Sequence, residues 1–374
     1  MAGNFTIQEV KTNSDLMKFI KYPFKLYEND KLWVPPLISE EKKLFNREKN
    51  PFWKHADFQA FLAIRDGEVV GRVAGLIDER HNEVHKDKVG FFGFFECVND
   101  QEIAKALLDT AKAWVKGKGR NIFRGPMSPS QNDIFGVLIE GLEYPPQIMM
   151  PYNPPYYKEL MENYGLAKAK DMLSFYKDSN VGIPARIKRI SEITRKRTKV
   201  NVRSMDTKHL DRDVAIIKDL YNKAWELNWG FVPLTAEEMD DVYKKLVKFY
   251  EPDLVLIAEV EGKPVGVGIS VPDINQVLIK LNGKLFPFGI FKFLWYKRKI
   301  NCVRCMIFGL LKEYRKTGIP LVMFEETEKN GLKHGYMQAE IGWNLEDNDA
   351  INQFDSQIGG RIYKRQRVYQ MPIK

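Results

Sequence analysis

Arg315, Lys316 and Gly318 stand in a basic turn, Lys312-Glu-Tyr-Arg-Lys-Thr-Gly-Ile-Pro320, between the apolar run Cys305-Met-Ile-Phe-Gly-Leu-Leu311 and a helical pattern ending at His334-Gly335. Where a strand feeds a helix through such a turn, the helix's first N–H groups lack intrahelical partners and point at one spot. Cations beside them make that spot a place to hold phosphate. Pro320 suits a first helical turn, where its missing N–H is not needed, and Gly318 lets the backbone approach a ligand closely. Most such turns bind nothing, so its setting has to decide.

That setting is legible in outline. Leu321, Val322, Phe324 and Leu332 give the helix an apolar face, Gly335 ends it, and Met337-Gln-Ala-Glu-Ile-Gly-Trp343 reads as the next strand, closed by Asn344-Leu-Glu-Asp-Asn348. Upstream, Leu16 to Tyr27 reads as a basic amphipathic helix and Glu40 to Phe45 as a charged one. Phe58-Gln-Ala-Phe-Leu-Ala-Ile64 and Val69-Val-Gly-Arg-Val-Ala-Gly75 read as strands about Asp66-Gly67, and the pattern returns as Leu254 to Val260, Glu261-Gly262 and Pro264 to Ser270. Gly67, Gly71, Asp78 and Asn153 return at one constant offset as Gly262, Gly266, Asp273 and Asn348. The helical pattern Ile103 to Lys118 returns as Pro320 to Gly335 at a longer offset. The chain therefore reads as a duplication: a first copy with a helical N-terminal extension over 1–180, a basic linker over 181–205, and a second copy over 206–374.

From Arg186 to Arg203 the linker sets its Arg and Lys residues against a single acid, Glu192, and reads as a solvated basic helix or as a contact for phosphate or anionic lipid. An insertion in the second copy, Leu278 to Lys299, interleaves aromatic groups with lysines. It reads as a helix covering the core, or as an interfacial segment with its apolar side among lipid headgroups; it would also wall a lipid tail.

With 374 residues, 44% of them apolar, the chain can bury two ordinary cores. The net charge of +9 favours an anionic partner: a phosphate-bearing ligand, a membrane surface or nucleic acid. No recognition-helix or stacking motif supports a specific nucleic acid, and neither a Gly-x-Ser-x-Gly elbow nor a P-loop occurs. Cys97, Cys302 and Cys305 cannot form a disulfide framework, which suits a reducing cytoplasm. Cys302 and Cys305 would face opposite sides of a strand, and His81 and His85 fall in an expected hairpin without a partner, so no metal is expected. The opening Met1-Ala-Gly-Asn-Phe-Thr6 has no positive n-region or apolar h-region, so no signal peptide is expected. No window approaches the roughly 20 apolar residues that span a bilayer.

Strand hairpin, central strand, basic glycine loop, helix, strand, Asn-led helix and final strand, met over Phe58–Tyr176 and again over Leu254–Gln370, resemble the GCN5-related N-acetyltransferase (GNAT) superfamily in its tandem form. The implied fold class is α/β (α+β): two tandem GNAT-like acyl-CoA N-acyltransferase folds, each a mixed twisted sheet flanked by helices. Trp33-Val-Pro-Pro36, Lys49-Asn-Pro-Phe52, Gly125-Pro126, Pro151-Tyr-Asn-Pro-Pro-Tyr-Tyr157 and Asn282-Gly283 are similar to a bacterial tandem subfamily that includes bacterial ceramide synthases. Arg315 and Gly318 match the superfamily loop pattern, whereas Pro320 departs from its last position and removes one N–H. In the first copy Phe94-Phe-Glu96 is followed by Cys-Val-Asn-Asp-Gln-Glu102, whose acids would repel phosphate. Only the second copy is then expected to hold the acyl donor, the first being degenerate.

The resemblance implies an enzyme, an N-acyltransferase that moves an acyl group from acyl-CoA or acetyl-CoA, or from an acyl carrier protein, to an amine. Coenzyme A would lie along Phe308, Gly309, Leu310 and Leu311, whose free N–H groups stabilise the oxyanion. Arg315, Lys316, Thr317, Gly318 and Ile319 would meet its phosphates, with Asn348 starting the adjoining helix. The amine must lose a proton to a carboxylate, for which Glu340, Glu346 and Asp273 are candidates, and Tyr363 resembles the late Tyr that protonates the leaving thiolate. Each also has an ordinary reading: surface charge for the carboxylates, a helix cap for Asn348, a core aromatic for Tyr363. The aromatic insertion points to a long acyl chain or a lipid-like amine such as a sphingoid base, handled in the cytoplasm at an anionic membrane surface. Rival readings are a short-chain acetyltransferase for a small amine or peptide, and a silent module that senses acyl-CoA or anionic lipid.

Overall fold

The Asp66-Gly67 and Glu261-Gly262 turns carry positive φ at both residues, 52° and 79° in the first and 50° and 75° in the second. This is the two-residue geometry that returns a strand antiparallel to its neighbour, and around each turn the computed structural model builds a mixed sheet. The structure describes residues 4–225, 228–246 and 250–374, with backbone alone at 245 and 246. They form two units interleaved along the chain: Met1–Asp171, Val277–Phe293 and Lys364–Lys374 make the first, Met172–Gln276 and Leu294–Tyr363 the second.

The first unit runs β1 (Phe5–Glu9), α1 (Asn13–Leu26), α2 (Ile38–Leu44), β2 (Ala56–Arg65), β3 (Glu68–Asp78), α3 (Glu79–His85), β4 (Val89–Cys97), α4 (Gln101–Gly117), β5 (Ile122–Gly125), β6 (Met127–Ser128), β7 (Ile134–Phe135), β8 (Val137–Glu140) and α5 (Tyr157–Asn163). Its strands lie in the order β1-β2-β3-β4-β5. The sheet is completed by β15 (Arg361–Pro372), which pairs antiparallel with β5 and β8. α4 buries Ile103, Leu107, Ala111 and Val115 against Phe61, Val73 and Phe92 of the sheet, the helical stripe expected of that pattern. His81 and His85, expected in a hairpin, instead lie one turn apart on α3, because Asp78 accepts the His81 N–H at 3.2 Å and caps a helix there. Burial pushes His81 down to about 3. Among the described residues no group of His, Cys, Asp and Glu could hold a metal.

The second unit holds most of β9 (Ala167–Asp178), then α6 (Ala185–Thr198), β10 (Val200–Ser204), α7 (Leu210–Trp225), α8 (Ala236–Leu246), β11 (Val255–Val260), β12 (Lys263–Pro272), β13 (Cys302–Leu310), α11 (Ile319–Lys333), β14 (Gln338–Leu345) and α12 (Asp349–Gln357). The insertion between β12 and β13 folds as α9 (Asn275–Leu278) and α10 (Gly289–Lys297). Strand order is β9-β14-β13-β12-β11-β10, with β13 and β14 parallel and the other neighbours antiparallel. The basic stretch forms α6, which buries Ile187, Ser191 and Thr194. Ser191 donates to Glu325 of α11 at 2.5 Å, and Arg195 pairs with Glu325 and Glu326. No helix among the described residues is long and apolar enough to cross a membrane.

Candidate functional site

β13 and β14 pair only from Cys302↔Gln338 to Cys305↔Ile341. Beyond that point they part, and Cys305–Gly309 on one side and Gly342–Asn344 on the other are half-buried. β12 keeps its hold on β13 as far as Gly266↔Leu310, and Leu311 N–H donates to the Val265 carbonyl at 2.9 Å. By the alternation of an antiparallel ladder, the N–H and C=O groups of Phe308 and Leu310 then point away from β12, toward the opening. Gly309 has no room for a side chain, since a Cβ there would strike the indole of Trp225 at the end of α7.

Beside the opening, α11 begins at Gly318, whose φ is 86° and which caps the helix with no side chain. The Thr194 hydroxyl stands where a Cβ would be. The amides of Lys316 and Gly318 make no backbone hydrogen bond among the described residues, while Thr317 Oγ1 donates to the Tyr314 carbonyl at 2.7 Å. Arg315 gives Nε to the Leu310 carbonyl (3.0 Å) and a terminal nitrogen to the Ala224 carbonyl (2.8 Å), so it braces the turn against β13 and α7. Gly318→Ala is expected to lower stability by about 1–2 kcal/mol from its left-handed backbone alone, with the Thr194 clash added. A urea midpoint equal to the wild type's would show that the turn relaxes freely.

The corresponding place in the first unit differs on two counts. β4 and β5 pair from Val89↔Ile122 to Phe91↔Arg124, but the gap beyond is filled: Gly93 lies against the Met127 carbonyl, and Phe94 N–H donates to Ser128 Oγ at 2.9 Å. The start of α4 is also occupied, because the Asp100 carboxylate accepts from the Glu102 and Ile103 amides (3.0 and 3.3 Å) and pairs with Arg65. A carboxylate of the chain's own thus sits where a phosphate would bind.

At the closed end of the second unit's opening four polar side chains are buried together: Asp273, Arg304, Glu340 and Tyr363. The Tyr363 hydroxyl donates to Glu340 Oε2 at 2.5 Å, and Arg304 Nε lies 3.8 Å from Glu340 Oε1. Burial, and then the Glu340 charge, push the Tyr363 hydroxyl far above the ordinary phenol range. Burial pushes Arg304 down, opposed by Glu340, Tyr363 and Asp273. Three expected catalytic residues therefore gather around Arg304, which the sequence shows only as the start of a strand. Glu346 lies apart from them, in the turn between β14 and α12, and Asn348 begins α12 without capping it by its side chain.

One acidic group escaped the sequence reading. Asp355, on α12, is fully buried; its Oδ2 accepts the Asn344 amide at 2.6 Å and its Oδ1 has no hydrogen-bond partner. Burial pushes its carboxyl up to about 7 against the pull of Asn344. Asn344 stands just beyond the point where β14 leaves β13, and burial together with the Asp355 charge raises the Cys305 thiol, so Asp355 lies beside the end of the β13–β14 ladder. The available signal was an interrupted stripe: Ile351, Asp355 and Ile358 fall at i, i+4 and i+7, where an inward helix face asks for apolar residues.

No protein-family model matches the chain. It is 33% identical to protein YghO of Escherichia coli over 368 residues, covering 96% of this chain and 93% of that protein. It is 31% identical to the bacterial ceramide synthase of Caulobacter vibrioides over 384 residues, covering 99% of this chain and 98% of that one. Among solved structures, a tandem GNAT protein from the clavulanic acid biosynthesis pathway superposes with a TM-score of 0.60 at 12% identity, over 99% of this chain and 98% of the other, and so shares the fold. The chain belongs to the tandem GNAT-fold acyltransferase family that includes the bacterial ceramide synthase.

Proposed function

We propose that the second unit transfers an acyl group from an acyl-CoA thioester to an amine. The reading is carried by the opening between β13 and β14, with the uncapped start of α11 on one side and the buried Glu340–Tyr363 pair at its closed end. Those residues fit the co-substrate: the Phe308 and Leu310 amides suit a thioester oxygen, and the Lys316 and Gly318 amides with the exposed Lys316 and Arg315 side chains suit its phosphates. The thioester supplies an electrophilic carbonyl, and the remaining chemistry is proton handling by the chain.

Glu340 accepts a proton from the incoming ammonium, directly or through one water. That cancels the negative charge which helps hold the Tyr363 proton. Tyr363 then protonates the departing thiolate and is refilled by Glu340 through their hydrogen bond. The amide bond forms as the thioester bond breaks; of the two protons the ammonium nitrogen loses, one passes through Glu340 and Tyr363 to the thiol and the other leaves to solvent, and both side chains return to their starting state. Arg304 positions Glu340, and Asp273 adds negative charge that draws the ammonium in. The plugged gap and self-capped helix of the first unit support a single donor site, in the second.

The acceptor is read as a lipid-type amine such as a sphingoid base, and the acyl group as long-chain, a reading supported by the relative named bacterial ceramide synthase. An acyl carrier protein as the alternative donor, and work in the cytoplasm at an anionic membrane surface, complete it.

Thermal unfolding with CoA, acetyl-CoA and palmitoyl-CoA tests the donor. A ligand present at about 100 times its dissociation constant adds about 2.7 kcal/mol, a melting-point rise of a few degrees. The rise is expected to grow with chain length and to vanish in Lys316→Glu. Equal shifts with all three would indicate a short-chain donor, and no shift with any would remove acyl-CoA and leave carrier-protein donors.

A further inference from the structure

Between Asp273 and Glu313 the chain contains no acidic residue, while Lys280, Lys284, Lys292, Lys297, Arg298 and Lys299 fall inside that span. The sequence leaves two readings for this insertion, and the side chains separate them. A helix that covers a core turns its apolar stripe inward. Of the large apolar residues of α10, Ile290, Phe293 and Tyr296 are half-buried, whereas Phe291, Leu294 and Trp295, at i, i+3 and i+4, make a second apolar face that points outward. Phe286 and Phe288 extend it, and these five side chains are between 57% and 75% exposed. Together they offer roughly 600 Å² of apolar surface, at the upper limit for a patch on a monomer that serves no partner. Lys299 lies 5.3 Å from the Trp295 ring, so cation and aromatic group share the same side of the segment.

We propose that residues 284–299 are an interfacial anchor that lays Phe286, Phe288, Phe291, Leu294 and Trp295 into the headgroup region of an anionic lipid surface. A protein groove would accept the aromatic side chains, but the acid-free run of cations selects a partner that is uniformly negative around an apolar interior. A bilayer bearing anionic lipids presents both within the depth that one aromatic side chain reaches. The inference deepens the lipid-amine reading of the acceptor and rests on it for the anchor's purpose, whereas vesicle binding can be measured without any turnover.

The test is co-sedimentation of the full chain with vesicles of phosphatidylcholine alone or mixed with phosphatidylglycerol. The wild type is expected to bind the mixed vesicles, and the double variant Phe291→Ser, Trp295→Ser to bind them at least about tenfold more weakly. Both substitutions lie on exposed positions, so an unchanged melting point shows that the fold is kept. Lys292→Gln with Lys299→Gln should weaken binding and flatten its salt dependence. Wild type that stays in the supernatant, or a double variant that sediments as wild type does, overturns the proposal. Self-association lost in the double variant, with no vesicle binding, would assign the face to a second copy and overturn it as well. Vesicle binding without acyl transfer would leave the anchor standing and count against the proposed reaction instead.

Discussion

Glu340→Gln is expected to slow acyl transfer by about two to four orders of magnitude and to lower stability by about 3 kcal/mol. The two effects have different origins. The rate falls because an amide cannot take the ammonium proton or refill Tyr363, whose hydroxyl donates to Glu340 at 2.5 Å. Stability falls because the buried Arg304 guanidinium, 3.8 Å from Glu340, loses a counter-charge it cannot exchange for water. The double variant Arg304→Met, Glu340→Gln separates them: removing both charges should recover most of the urea midpoint while transfer stays slow. Wild-type turnover in Glu340→Gln would exclude Glu340 as the base and turn attention to Asp273 and Glu346.

Asp355→Asn should act in the opposite sense and stabilise the protein at neutral to alkaline pH. In the folded chain burial pushes the Asp355 carboxyl from 3.8 up to about 7, so the folded state holds this proton more tightly than the unfolded chain does. The favourable contribution is fully present below about pH 4 and is lost as pH rises through about 7, where the carboxylate must be charged without solvent. A shift of that size corresponds to about 4 kcal/mol. The asparagine keeps an oxygen for the Asn344 amide and ionises at no pH. Urea midpoints of variant and wild type should therefore differ little at pH 4 and diverge up to pH 8. Parallel curves across that range would show that Asp355 ionises without penalty.

Much of the architecture could be read without coordinates because it rests on local rules. Asp66-Gly67 and Glu261-Gly262 announce their turns by residue type, and their constant offset exposes the duplication. The helix started near Gly318 and the strand carrying Glu340 follow from apolar periodicity and a flanking glycine. Glu340, Tyr363 and Asp273 could be named one by one, but their meeting depends on strand register, which no single segment determines. Arg304 was invisible for the same reason: it matters only because β13 sets it beside Glu340. Asp355 needed the face of α12, and the plug in the first unit needed the Met127 segment folded back on Gly93. The acids after Cys97 were recognised as hostile to phosphate, yet the way they act, with Asp100 capping α4, is a matter of backbone geometry. The aromatic insertion stayed ambiguous because periodicity says how wide an apolar stripe is and not which way it faces.

The interleaving of the two units bears on how the protein is made. Residues 364–374 belong to the first unit, where the end of β15 pairs with β5 and β8. On the ribosome, the segment up to Asp171, nearly half of the sequence, therefore waits with one strand position vacant while the residues up to 363 are translated. Its sheet closes only as residues 364–374 emerge from the exit tunnel. Until then β5 presents an unsatisfied edge, the kind of surface that holdase chaperones cover and that neighbouring nascent chains can invade. Loss of residues 364–374 would leave that edge open, so quality control can recognise a product without them as unfinished.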